Sequence, residues 1–336
     1  MRNPISMALV GAGGIAQSYA QCFRGLDEAR LVAVADLRVD AAQALAEDLG
    51  ATAFADHEDL LRKTACDAVI VCTPPVSHTE VCLHFLEREI PVLCEKPLAI
   101  RRADAQRLLA AATRHDVQFT MASKFRYVDD VIRARSLVAS GIVGEPILLE
   151  NTFTARVDMT QRWNANPAIS GGGVLIDNGT HSVDLARYFL GPITEVHAVE
   201  GKRIQALPVE DTAQLFLRSA DGAMASIDLS WSLHKETQSF LEIHGSQGSV
   251  RVGWRQSAYR QHSSPDWVGF GSGYDKVAAF RSQIRNFVRA LRGEEPLRIT
   301  AADALASVEV IEAAYASLAA SRWTPVPLAP GTAAGS

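Results

Sequence analysis

The chain has 336 residues, 48% of them apolar and 21% charged, with a formal net charge of −5. That length suffices for two ordinary domains, and the acidic balance disfavours a nucleic-acid or anionic-membrane partner, although backbone N–H groups can still hold a local phosphate. Cys22, Cys66, Cys72, Cys82 and Cys94 all fall in the first third without a C-x-x-C pair, which reads as free thiols in a reducing, cytoplasmic setting. Gly11, Gly13 and Gly14 break the apolar N-terminal stretch, so no leader plan is expected there, and no run of about 18 apolar residues offers a membrane span.

Strand-like and helix-like segments alternate over the first 122 residues. Ile5–Val10 is a short apolar run, and Gly14–Arg24 has helical spacing. Leu31–Ala35 is followed by the helical Asp40–Leu49, and Ala51–Phe54 is a weak strand. Ala68–Cys72 is a strong one, before the helical Ser77–Glu89. Pro91–Cys94, the helical Arg102–His115 and Val117–Met121 complete the series. Such alternation predicts a parallel sheet covered on both faces.

Near residue 123 the rhythm changes. A helix is expected at Val128–Ser140. Period-two alternation then predicts strands at Pro146–Ala155, Asp211–Arg218, Gly222–Ser232, Gln238–His244 and Ser249–Val252, with hairpin signals at Asp221-Gly222 and Gly245–Gly248. Helices are expected near Val277–Arg292 and Ala301–Ser321. The reading is an α/β doubly wound domain over 1–122, an α+β domain with a mostly antiparallel open sheet over 123–327, and a disordered tail over 328–336.

The first strand enters G-A-G-G-I-A, residues 11–16, a G-x-G-x-x-A dinucleotide turn. Gly11 suits the tight turn, Gly13 admits a pyrophosphate, and Ala16 lets the helix approach the sheet. Gly14 and Ile15 open the helix, whose N-terminus attracts phosphate. Asp36 ends the second strand, where a carboxylate accepts from ribose hydroxyls and so favours NAD. Arg38 is two residues on and is the group that would pair with the extra phosphate of NADP. Thr73, Pro74 and His78, in C-T-P-P-V-S-H, follow the fourth strand at the edge where ligands of such sheets bind.

Glu95-Lys96-Pro97 ends the fifth strand at the same edge. A cation there can polarise a substrate oxygen, with Glu95 orienting Lys96 or the cofactor; Pro97 fixes the chain direction. Further on, G-G-G-V-L-I-D-N-G-T-H-S-V-D-L at 171–185 opens on glycines and continues as a helix. Asp177 and His181, four apart, share one of its faces, and a carboxylate beside an imidazole suits proton transfer.

Taken in order, G-A-G-G-I-A, C-T-P-P-x-x-H, C-E-K-P-L and the D-x-x-x-H helix resemble the Gfo/Idh/MocA oxidoreductases over essentially the whole chain. The resemblance implies a Rossmann domain, then an α/β domain whose open sheet carries the substrate cleft and oligomer contact. It implies Lys96, Asp177 and His181 as the catalytic set. Arg126, Arg162, Trp163 and Asn178, beside Lys96 and His181, are the further substrate-contact candidates.

The function expected is NAD-dependent hydride transfer at a secondary alcohol of a polyhydroxylated ring: an inositol, a sugar or a sugar derivative. The alternatives are a keto-sugar or nucleotide-sugar reductase, an epimerising enzyme that retains its NAD(P), and a non-enzymatic NAD-binding regulator. Loops 156–170 and 255–275 carry no readable code for the substrate. Trp231, Trp254 and Trp267 read as packing or interface residues. The nine histidines show no ligand spacing, so no metal is expected. A homodimer or homotetramer is expected from the exposed sheet.

Overall fold

The computed structural model describes residues 3–327, so the expected tail lies outside the described residues. Contacts divide the chain into two compact units. The first takes the residues up to Lys124 together with Lys276–Leu305; the second takes Phe125–Asp275 and the chain from Ala306 on.

In the first unit, β1 (Ile5–Val10), β2 (Ala29–Ala35), β3 (Thr52–Phe54), β4 (Ala68–Val71), β5 (Val92–Glu95) and β6 (Phe119–Ala122) form one sheet in the order β3-β2-β1-β4-β5-β6. Every neighbouring pair is parallel. That is the dinucleotide-binding strand order, with its reversal beside β1. The strands run apolar because both faces are covered: Ala68, Val69, Ile70 and Val71 are all fully buried. A short helix, His57–Lys63, lies between β3 and β4 where the sequence reading placed no element. Asp56 caps it by accepting from the Asp59 N–H at 2.7 Å, a local signal seven residues long.

The helix Lys276–Leu291 belongs to this first unit, although the sequence reading put it in the second domain. Its buried Phe280, Ile284, Phe287 and Val288 make one stripe at helical spacing and join the core of Tyr19, Cys22 and Phe23 from the helix Gly14–Phe23. The Tyr19 ring meets Phe280 edge-on at 4.8 Å. No local pattern distinguishes which domain such a stripe will join.

In the second unit, β7 (Pro146–Thr154), β8 (Ile193–Glu200), β9 (Thr212–Ser219), β10 (Met224–Ser230), β11 (Ser239–Gly245), β12 (Gly248–Gly253), β13 (Ser257–Gln261), β14 (Val268–Gly271) and β15 (Thr324–Pro325) build a nine-stranded sheet. Its order is β14-β13-β12-β11-β7-β10-β9-β8-β15. β7 and β10 pair in parallel; the other neighbours are antiparallel. The hairpin expected at Asp221-Gly222 is present, with Gly222 at φ +86°. β8 was not expected, and a register shift between Ile193 and Glu195 explains why its alternation is broken. The helix Val174–Leu190 packs on β7, β9 and β10.

Removing the Phe280 ring strips the first core of a contact supplied by a remote segment. Phe280→Ala should cost about 3–5 kcal/mol, read as a lower urea midpoint of the first unfolding transition.

Candidate active site

The turn after β1 is held by a close approach. Gly11 sits at φ +97°, and a Cβ there would lie 2.8 Å from the carbonyl carbon and oxygen of Cys72, so only glycine fits. Ala16 is fully buried, and Ile15 packs against the same core. The helix Gly14–Phe23 starts from Gly13 with no side-chain cap and no acidic residue in its first turn. Nothing lies within 4 Å of where a Cβ would stand on Gly13 or Gly14. Uncapped N–H groups beneath open space are what a pyrophosphate needs.

Asp36 ties this turn to the end of β2. Its Oδ2 accepts from the Ala12 N–H at 2.6 Å and its Oδ1 from the Arg38 N–H at 2.8 Å. The Arg38 guanidinium, with its side chain 70% exposed, rests 3.4 Å from the same carboxylate. A carboxylate has about four lone-pair directions, so Asp36 keeps acceptor capacity for ribose hydroxyls. Thr73 Oγ1 is buried and has no hydrogen-bond partner among the described residues, an orphaned polar atom at the sheet edge. Pro74 precedes the helix Pro75–Leu86 and accepts from Ser77 Oγ at 2.9 Å. These groups fit a bound dinucleotide.

His78, a cofactor-contact candidate, lies beneath the turn after β4. It is fully buried, with Nε2 2.8 Å from the Thr73 carbonyl oxygen and Nδ1 2.8 Å from that of Pro97. Each ring nitrogen faces a backbone carbonyl, the neutral ring donating to one of them, so the side chain lies between the turn after β4 and the turn after β5. Burial pushes its pKa down, against the pull of the two carbonyls.

The Lys96–Pro97 peptide is cis. Lys96 is half-buried, while Glu95 beside it is turned inward. Tyr19 Oη donates to Glu95 Oε1 at 2.8 Å, Gln283 Nε2 donates to Tyr19 Oη at 2.8 Å, and the Lys96 N–H donates to Glu95 Oε2 at 3.1 Å. Glu95 thus orients the Lys96 backbone and anchors the turn to the helix Gly14–Phe23. Its pKa is raised by burial, a shift that Tyr19, Lys96 and Lys124 only partly offset. Sequence reasoning had no way to find Gln283, which is 264 residues from Tyr19.

In the second unit, Glu210 organises the start of the helix Val174–Leu190. Its Oε1 accepts from the Gly173 N–H at 2.9 Å, the Leu175 N–H at 3.1 Å and Tyr315 Oη at 2.8 Å. A Cβ on Gly172 would stand 1.9 Å from Tyr315 Oη, and one on Gly173 2.1 Å from the Glu210 carbonyl oxygen. The glycine run exists so that this remote carboxylate can reach the helix N-terminus, where negative charge is favoured.

One turn into that helix, Asp177 and His181 stand four residues apart. His181 is 5% exposed, and Phe125 meets its ring edge-on at 5.0 Å. Phe125 in turn touches Phe153, Phe240, Trp254 and Tyr274, so an aromatic cluster backs the imidazole. Trp254 and Tyr274 are its partly exposed members, and burial with the charge of Asp275 pushes the Tyr274 hydroxyl up to about 12. Asn178 Nδ2 lies 3.5 Å from the Phe153 carbonyl oxygen.

Arg126, a substrate-contact candidate, forms a buried ion pair with Asp184. It is 4% exposed, its Nε donates to Asp184 Oδ2 at 3.0 Å, and its guanidinium lies over the Tyr188 ring at 4.9 Å. A buried pair of this kind is costly to open. Arg162 and Trp163 are exposed, and Arg162 lines a cavity of about 240 Å³ with Thr160, Asn166 and Leu207.

A parallel six-stranded sheet with a glycine turn, a carboxylate at the end of β2 and an uncapped helix defines a dinucleotide-binding fold. The family model for the NAD-binding Rossmann fold of the oxidoreductase family matches residues 5–123, and the GFO/IDH/MocA C-terminal domain matches 131–251. Inositol 2-dehydrogenase of Rubrobacter xylanophilus is 31% identical, over 94% of this chain and 91% of its own. Myo-inositol 2-dehydrogenase of Thermotoga maritima is 28% identical over 73% and 74%. The crystal structure of GenD2 from gentamicin A biosynthesis, in complex with NAD, is 27% identical, covers 98% of each chain and superposes with a TM-score of 0.87. The chain belongs to the GFO/IDH/MocA family: it is an NAD-binding oxidoreductase, a dehydrogenase acting on CH–OH groups.

The buried Glu95 gives a pH signature. Its pKa is higher folded than unfolded, so the folded state holds its proton more tightly and stability falls as pH rises from the ordinary carboxyl value, 4.5, through the raised one. Glu95→Gln should remove that loss, so the variant gains on the wild type across this window when Tm is followed against pH.

Proposed function

We propose that the protein oxidises a secondary alcohol of a polyhydroxylated ring, an inositol, a sugar or a sugar derivative, using NAD. The observation that carries this reading is the pairing of Asp177 and His181 on one face of a helix, the imidazole buried against aromatic rings rather than solvated. In the proposed mechanism His181 takes the hydroxyl proton as general base, and Asp177 holds the imidazole or a second hydroxyl. Lys96 stabilises the developing alkoxide, a charge that a half-buried cation holds better than water does. Asn178, on the adjoining helix face, contacts substrate. NAD, held by the Gly11–Ala16 turn, Asp36, Thr73 and Pro74, supplies the hydride acceptor when bound.

The inositol dehydrogenases among its relatives support a cyclitol or sugar as substrate, because a ring of hydroxyls offers both a reacting carbon and further groups to orient. A panel of cyclitols and sugars assayed for NADH formation should give saturable turnover with at least one member; no turnover across the panel overturns the reading. With that substrate, Lys96→Met and His181→Ala should each lower kcat by about 10²–10⁴-fold while NAD affinity, followed by fluorescence titration, is kept. Near-wild-type kcat in either variant removes that residue from the mechanism.

We also read the protein as cytoplasmic and homo-oligomeric. All five cysteines are free, in keeping with a reducing compartment, and among the described residues no helix is long and apolar enough to cross a membrane. Val199 and Met224 expose large apolar side chains from β8 and β10, as a sheet awaiting a second copy would. Light scattering should report a dimer or tetramer, and a monomer at micromolar concentration refutes this part.

A further inference from the structure

A second cluster of ligating side chains lies in the first unit, among residues that neither hold the dinucleotide nor move the substrate proton. His57 opens the helix His57–Lys63, and His84 lies near the end of the helix Pro75–Leu86. Nε2 of His57 and Nδ1 of His84 are 2.7 Å apart, with ring planes 22° from parallel. At that distance one nitrogen donates an N–H to the lone pair of the other, and an ion held by both nitrogens would take the place of that proton.

Glu58 adds a carboxylate oxygen, and the three ligand atoms lie within 4.8 Å of one another. Both rings are half-buried, and His57 is backed by Phe85 at 6.3 Å, which limits their rotamers before any ion arrives. Asp56 adds negative charge beside His57; Arg88, which donates to the His84 carbonyl at 2.8 Å, is the opposing cation.

We propose that His57, Glu58 and His84 bind one zinc-class divalent ion. Two imidazoles and a carboxylate are a donor set that suits zinc, with water in the fourth position. With zinc–nitrogen bonds of about 2.0–2.1 Å, a tetrahedral ion needs the two nitrogens about 3.3 Å apart, a shift of about 0.6 Å within reach of side-chain rotation. The ion displaces the hydrogen-bond proton and ties together two helices whose ligands are 27 residues apart. It binds the folded chain in preference to the unfolded one and stabilises it. The other comparable cluster, Glu150, Glu242 and His244, is already satisfied: His244 engages Ser249 Oγ at 2.9 Å and Glu150 Oε2 at 3.1 Å.

The test uses the full chain, freed of any affinity histidines and of metal, titrated with zinc chloride by calorimetry and with cobalt(II) by absorbance. The expected result is one ion per chain, tetrahedral cobalt bands, and a Tm that climbs with the logarithm of free zinc. His57→Gln and His84→Gln should each weaken binding by more than about tenfold while NAD binding is kept. If either variant fails to fold, Glu58→Gln, on an exposed side chain, decides: unchanged zinc affinity overturns the proposal. So does the absence of saturable binding in the wild type. Binding kept in both histidine variants but lost in His244→Ala moves the ion to the second unit and equally overturns it.

Discussion

A missing methylene holds the nucleotide end of this protein together. Because Gly11 has no Cβ, the turn after β1 can lie against the backbone of Cys72 at the end of β4, a contact that any side chain would forbid. The turn can then hand its chain directly into a helix whose start has no side-chain cap. Asp36 locks the same turn from the β2 side through the Ala12 N–H. His78 then couples β4 to β5, since one buried ring spans the carbonyls of Thr73 and Pro97. The ends of β1, β2, β4 and β5 are thereby linked through a glycine, a carboxylate and an imidazole, each set against backbone.

The second unit solves the same problem with a buried carboxylate. Glu210 gathers two backbone N–H groups and the Tyr315 hydroxyl at the mouth of the helix that carries Asp177 and His181. Burial raises the pKa of Glu210, and its hydrogen bonds oppose that rise. Phe125 meets the His181 ring edge-on, and Asp177 stands one helical turn before it.

Much of this fold was legible in the chain because its signals are local. Alternating apolar runs and helical stripes gave a parallel sheet, period two gave the second sheet, and the glycine turn fell between a strand and a helix as its pattern requires. What escaped was set by distance. Arg126 was a substrate-contact candidate by resemblance, and its ion pair with Asp184, 58 residues on, leaves no local trace in the sequence. His78 was a cofactor-contact candidate, and its two carbonyl partners come from separate turns. The Gly171–Gly173 run was visible, while its cause, Glu210, was not. β8 hid behind a bulge that breaks its alternation. Pairings between remote side chains leave no periodic trace, so the partners of buried polar residues were the most hidden.

The first unit is assembled from two pieces of chain, with 151 residues, 125–275, running between them. Until the ribosome has made the helix Lys276–Leu291, Tyr19 has neither Phe280 nor Gln283, and the earliest strands must wait beside an unfinished core. An N-terminal fragment cut at residue 124 would expose that apolar surface permanently. Nucleotide binding is in this way tied to completion of the polypeptide, and a nascent chain that stalls in the second sheet has no independently finished half to release.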